Sequence, residues 1–123
     1  MAYDRYSILK SLKDAVKGMA TEVFYTDRPA ETAANYKNFI VIRLGTMNDN
    51  GAYGNTYANL IIFVKDKAGE EATKDMEDLK VKVMSVLPIN NDLIYTDKPQ
   101  LLGGQSDSDG YHYITVYFNI WIK

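Results

Sequence analysis

His112 is the only imidazole in the 123-residue chain, and it sits in an alternating run beside Ile114 and Val116. Imidazole does acid–base or metal work when a carboxylate or a second imidazole is held against it. No second histidine exists and no acid is marked out as its partner, so His112 reads as a core-edge residue. Two oxygen-rich stretches, Asn48-Asp49-Asn50-Gly51 and Asp107-Ser108-Asp109-Gly110, have the residue types that ligate calcium. Neither supplies the further acid that completes an EF-hand loop, so both read as polar turns. Lys10, Lys13 and Lys17 form a basic stripe that could touch phosphate, but Asp14 interrupts it and no aromatic platform is near in sequence. A solvated helix face is the better reading. Gly45, Gly51 and Gly54 fit no phosphate-binding fingerprint, and no serine stands in a nucleophile elbow. No pair of acids is set apart as an acid–base couple. The expectation is a non-enzyme with no catalytic residues, no metal and no cofactor.

Composition narrows the class further. There is no cysteine, which excludes disulfides, thiolate metal sites and cysteine nucleophiles. Net charge is −2 with the signs interspersed, so the concentrated basic footprint of a nucleic-acid or membrane-surface binder is missing. The N-terminal MAYDRYSILKSL mixes acid and base and has no apolar h-region, so a signal peptide is not expected. Apolar runs fall far short of the ~20 residues that span a bilayer. These features predict a soluble intracellular product folded as one domain over residues 1–123.

Periodicity supplies the elements. Ile8, Leu9, Leu12, Ala15, Val16 and Met19 make one helical stripe, with Asp4 or Ser7 as its cap and Gly18 weakening its end. A short strand over Glu22–Thr26 follows, stopped by Arg28-Pro29, then a loop over 30–38. Phe39–Leu44 reads as a buried strand, Thr46–Thr56 as a turn-rich stretch, and Tyr57–Lys65 as an antiparallel partner buried on both faces. A second helix is expected over Glu70–Leu87, with Ala72, Met76, Leu79, Val83, Val86 and Leu87 inward. Glu70 and Glu71 suit its first turn and Pro88 ends it. Leu93–Thr96 is a strand, and Gly103–Gly110 a flexible loop before the last strand. The prediction is an α+β fold of order α-β-β-β-α-β-β, two helices packed on one face of a mainly antiparallel sheet. Its core should join Leu9, Leu12, Val16, Ile40, Ile42, Leu60, Ile62, Leu79, Val83, Ile114, Val116 and Phe118.

The strand from Tyr111 to Lys123 alternates most clearly. Tyr111, Tyr113, Thr115, Tyr117, Asn119 and Trp121 share one face, and His112, Ile114, Val116, Phe118, Ile120 and Ile122 the other. Ten tyrosines in the chain, with Tyr57, Tyr95, Tyr111, Tyr113 and Tyr117 on expected strands, allow two readings. They reflect β-propensity on a half-buried face, or they anchor an interface through Tyr113, Tyr117 and Trp121. Polar loop residues would make a second contact: Asp49, Asn50 and Tyr53 in the hairpin tip, Asp107 and Asp109 in the later loop. Tyr25-Thr-Asp-Arg-Pro29 and Tyr95-Thr-Asp-Lys-Pro99 echo one another, through a pseudo-repeat or through independent use of good strand-stoppers.

An N-terminal amphipathic helix, a central hairpin over Phe39–Lys65, a helix directly after it and a closing hairpin over Leu93–Lys123 form a recognisable order. That order resembles the tail terminator (tail-completion) and neck proteins of long-tailed bacteriophages. The resemblance implies a virion structural protein of the tail or neck, made in the host cytoplasm. It would form a ring homo-oligomer, commonly a hexamer, that caps the tail tube protein and docks to a head-side connector protein. It also implies neighbour contacts at Thr46–Thr56, Gly103–Gly110 and exposed strand edges; the only acids offered to a lumen are Asp49, Asp107 and Asp109. Membrane and sequence-specific nucleic-acid partners are not implied. The alternative is a stand-alone cytoplasmic module that binds a small molecule or peptide on the aromatic sheet face.

Overall fold

Both helical stripes carry through to burial. A computed structural model describes residues 5–25, 36–45, 54–106 and 110–123, and the backbone of 48–49. Helix α1 (Arg5–Val16) buries Ile8, Leu9, Leu12 and Val16. Ser7 lies within the helix and so is not its cap, and Asp4 falls outside the described residues. Helix α2 (Thr73–Ser85) buries Met76, Leu79 and Val83, with Ala72 and Leu87 extending the stripe at its two ends.

The strands form one seven-stranded sheet. β1 (Glu22–Tyr25) runs parallel to β2 (Asn38–Leu44), and every other pairing is antiparallel. The Asn38 side chain accepts from the Thr21 amide (2.7 Å) and hydroxyl (3.1 Å), which ties the start of β1 to β2. β2 pairs with β4 (Gly54–Lys65), and β4 pairs along its whole length with β7 (Tyr111–Ile122), from Gly54 opposite Ile122 to Lys65 opposite Tyr111. The far side of β7 is shared by β5 (Ile94–Thr96) and β6 (Gln100–Ser106). β3 (Asn48–Asp49) pairs with the start of β4. The architecture is the α+β one expected from the sequence, with β3 and β6 added to the anticipated order.

One sheet face carries both helices. Ile40, Ile42, Leu60, Ile62, Val64, Ile114, Val116 and Phe118 meet the two helical stripes in a single cluster that also holds Val23, Ile94, Ile120 and Ile122. All twelve residues expected in the core are buried there. Over Leu60–Val64 β4 is buried on both faces: Leu60, Ile62 and Val64 face the helix-side core, and Ile61 and Phe63 a smaller cluster on the other side.

Local expectations failed in three places. Glu70 and Glu71 precede α2 instead of opening it. Lys67 and Glu70 exchange both backbone hydrogen bonds across Ala68 and Gly69, whose φ angles of 53° and 79° make a left-handed reversal of the kind that closes hairpins. Asp75 is therefore the acid of the first turn. Second, residues 103–106 of the stretch read as loop are strand, part of a β6 that begins at Gln100. The Gly103-Gly104 pair is absorbed by a register shift between Leu102 and Gln105 while the ladder with β7 continues on both sides. Third, β4 begins at Gly54, inside the stretch read as turn, because β3 folds back on Gly54 and Asn55.

Candidate interaction surface

The outer sheet face, opposite the helices, divides in two. At one end Phe39 stacks on Phe63 (centroids 4.6 Å apart, planes 11°), and Tyr111 stands edge-on to Phe39 at 5.2 Å. Phe24 and Tyr36 pack edge-on against Phe39, and the Tyr111 hydroxyl donates to the Tyr36 carbonyl at 2.7 Å. With Val41 and Ile61 these rings form a second small core in which Tyr111 is fully buried. Aromatic pairs in edge and offset geometry add to the burial of their area, so this end is sealed by its own side chains.

Toward the other end the rings emerge. Tyr113 lies at the border, tilted over Phe63 at 5.1 Å with its hydroxyl donating to Gln105 (2.8 Å). Tyr117 is half-buried and donates to Gln100 (2.5 Å). Asn119 is clamped by Asp97, which accepts from its backbone and side-chain amides (2.8 and 3.0 Å). Trp121 (37% exposed) pairs across the strands with Tyr95 (44%), their rings 5.8 Å apart. Tyr57 (48%) shares this face, opposite Asn119 on β7, and Leu102 opposite Thr115 is likewise exposed. The Tyr57 ring lies over Gly45, where a Cβ would come within 2.1 Å of it. A large, stiff, mostly apolar patch with hydrogen-bonding tips is what a contact core uses.

Of the residues singled out from sequence, Tyr113, Tyr117 and Trp121 do lie together on this face, the two tyrosines half-buried and Trp121 exposed. Asp49 is placed by its backbone in β3 beside Gly54. Asn50, Tyr53, Asp107 and Asp109 lie outside the described residues. The lysine stripe is partly engaged: the Lys13 ammonium sits 5.3 Å from the centre of the Tyr25 ring. Burial, then the nearby Tyr6 and Asp14, pushes the Tyr25 hydroxyl above its ordinary pKa. Tyr25 and Tyr95 occupy opposite sheet faces, one against the main core and one on the outer patch, which favours independent origins for the two similar segments.

His112 needs a correction. It does have an acid partner, since Asp66 places a carboxylate oxygen 2.5 Å from its Nδ1. Asp66 follows the end of β4 and donates its amide to the Gly110 carbonyl, so sheet register brings together two residues far apart in sequence. Nearby, Asp75 is held below its usual carboxyl pKa by a hydrogen bond and charge from Lys67, 3.0 Å away. Among the described residues no cluster of acids and histidine is arranged to hold a metal ion.

Neither a protein-family model nor a curated protein matches this chain. Among solved structures it is similar to a chain described as "Virion of native gene transfer agent (GTA) particle". The two are 13% identical with a TM-score of 0.44, over 95% of this chain and 90% of that one.

The alternation in the sequence gathers Tyr113, Tyr117 and Trp121 on one face, and the structure adds Tyr57, Tyr95 and Leu102 as exposed residues of that face. Tyr95 joins only through the β5–β7 register, and Leu102 precedes the glycine stretch in a segment with no strand signal of its own.

Proposed function

We propose that this chain is a phage-like virion structural protein, a tail terminator or head–tail joining ring subunit. It acts by docking and carries out no chemistry. The observation that carries this reading is the divided outer face, sealed by its own rings at one end and presenting Trp121, Tyr95 and Tyr57 to solvent at the other. The family resemblance in element order supports it as well. A ring subunit needs two unlike surfaces, because head-to-tail contacts are heterologous and close by rotation. The aromatic end is one of them, and the β3–β4 hairpin with Asp49 belongs to the other. Neighbouring copies, a tail tube protein and a head-side connector protein are the partners, and the tail or neck of the virion is the place of action.

The test is Tyr57→Ala combined with Trp121→Ala. Both side chains point away from the helix-bearing core, so the monomer should melt within a few degrees of the parent. Ring formation in sedimentation and tail completion in particle assays should fail. Normal assembly by the folded double variant would overturn the proposal. A variant that keeps assembly but loses a small-molecule or peptide ligand would favour a binding module on the same face.

A further inference from the structure

β6 is an edge strand with unusual properties. Among the described residues it pairs only with β7, all of Gln100–Ser106 is exposed, and the run QLLGGQS has no charge and no proline. Sheet edges that stay unpaired are ordinarily guarded by charged side chains or proline, because their outward amides and carbonyls are templates for another strand. The direction of those groups follows from β7. Asn119 turns both its amide and its carbonyl toward Asp97, on the β5–β6 side. By the period of two, Tyr117, Thr115 and Tyr113 do the same. Their partners Gln100, Leu102 and Gln105 therefore use their backbone groups on β7. Leu101, and beyond the register shift Gly104 and Ser106, direct theirs to the open edge.

A groove of about 500 Å³ runs beside this edge on the helix side, between Met76, Glu77 and Lys80 of α2 and Leu101–Gly104 of β6, with His112 and Ile114 as its floor. Leu101 pairs with Val116 and so presents its side chain to this groove. Gly103 and Gly104 leave a gap in the groove wall. A Cβ on Gly104 would lie 3.6 Å from Ile114 and 4.0 Å from a Glu71 carboxylate oxygen. Glu77 is engaged by Lys80 at 2.6 Å, while among the described residues Glu71 has only a long contact with the Thr73 hydroxyl, at 3.5 Å.

We propose that β6 and this groove take up an extended polypeptide segment by strand addition. The segment's backbone pairs with Leu101 and its neighbours. One lysine or arginine of the segment passes over the Gly103-Gly104 gap, lays its stem on Leu101 and Ile114, and brings its charge to Glu71. The occupant is thus a strand with a basic residue on the helix side and β-branched residues on the other, beside Leu102. The register shift splits the edge into short stretches, which suits one added segment and resists open-ended sheet growth. The site borders the outer face at Leu102, but Leu101, Gly104 and Glu71 lie on its helix side, so variants at these three test it separately from the assembly reading.

The probe is a capped hexapeptide of alternating Lys and Val, titrated by NMR against the full chain, with a Glu/Val hexapeptide as control. The Lys/Val peptide should bind at least tenfold more tightly and slow amide exchange at Leu101, Gly104 and Ser106. Leu101→Pro removes an outward amide without touching the β7 ladder and should abolish binding with the fold intact. Gly104→Val, which closes the gap, and Glu71→Gln should each weaken binding about tenfold. Equal binding of both peptides, retained binding by Leu101→Pro, or protection of β6 by self-association without peptide would each overturn the proposal. So would the absence of any binding.

Discussion

Tyr111 shows how one side chain closes half of a sheet face. Its ring is enclosed by Phe39 and Phe63, and its hydroxyl satisfies the Tyr36 carbonyl, so both ends of the residue are accounted for. Tyr111→Phe keeps the packing and removes that donor. It should cost about 0.5–1.5 kcal/mol, seen as a lower urea midpoint at unchanged slope. Unchanged stability would mean that water replaces the tyrosine without loss. In sequence Tyr111, Tyr113 and Tyr117 are equivalent members of one alternation. Their fates diverge because β4 sets Phe63 opposite Tyr113 and within ring contact of Tyr111, while Tyr117 meets Asn59. Alternation reveals a face; which half of it is sealed depends on what the neighbouring strands bring. The His112–Asp66 pair was hidden for the same reason.

At the scale of elements, the two helices were the most legible parts, because a single apolar stripe leaves little choice about what is buried. Leu12 and Leu79 are 1% and 4% exposed on α1 and α2. Truncating either to alanine leaves a cavity between helix and sheet, and each should lower stability by about 2–5 kcal/mol in chemical denaturation. A cost well under 1 kcal/mol would mean that the surrounding helix collapses into the space. Strand content was harder to read where glycine is dense. Gly103-Gly104 signals a break by local rules, yet an edge strand tolerates two residues without side chains when the neighbouring ladder holds on either side. The start of α2 was misjudged by the same kind of local reading. Two acids before an apolar stripe suit a first turn, but the Lys67–Glu70 reversal uses Glu70 to close a turn instead.

Across the whole molecule, the sheet has a helix-covered side and an outer side, and the two proposed contacts fall on different sides of it. The aromatic end lies on the outer side and the β6 groove lies under α2; Leu102 borders both, while Tyr57 and Trp121 belong to the first alone and Leu101, Gly104 and Glu71 to the second. The position of β7 has a further consequence, for the time course of folding. The strand that comes last in chain order joins β4, β5 and β6 and stands in the interior of the sheet. During synthesis every one of its partners emerges before it. Until it arrives, Leu60–Val64 of β4 have an unfilled ladder and apolar side chains on both faces, a state prone to wrong pairing. Closing β4 with β7 joins distant parts of the chain, a slow kind of step. Val116→Ala should therefore retard refolding more than Leu12→Ala for the same loss of stability, measured by stopped-flow. The reverse order would mean that the chain nucleates on α1 and that β7 merely completes a sheet already formed.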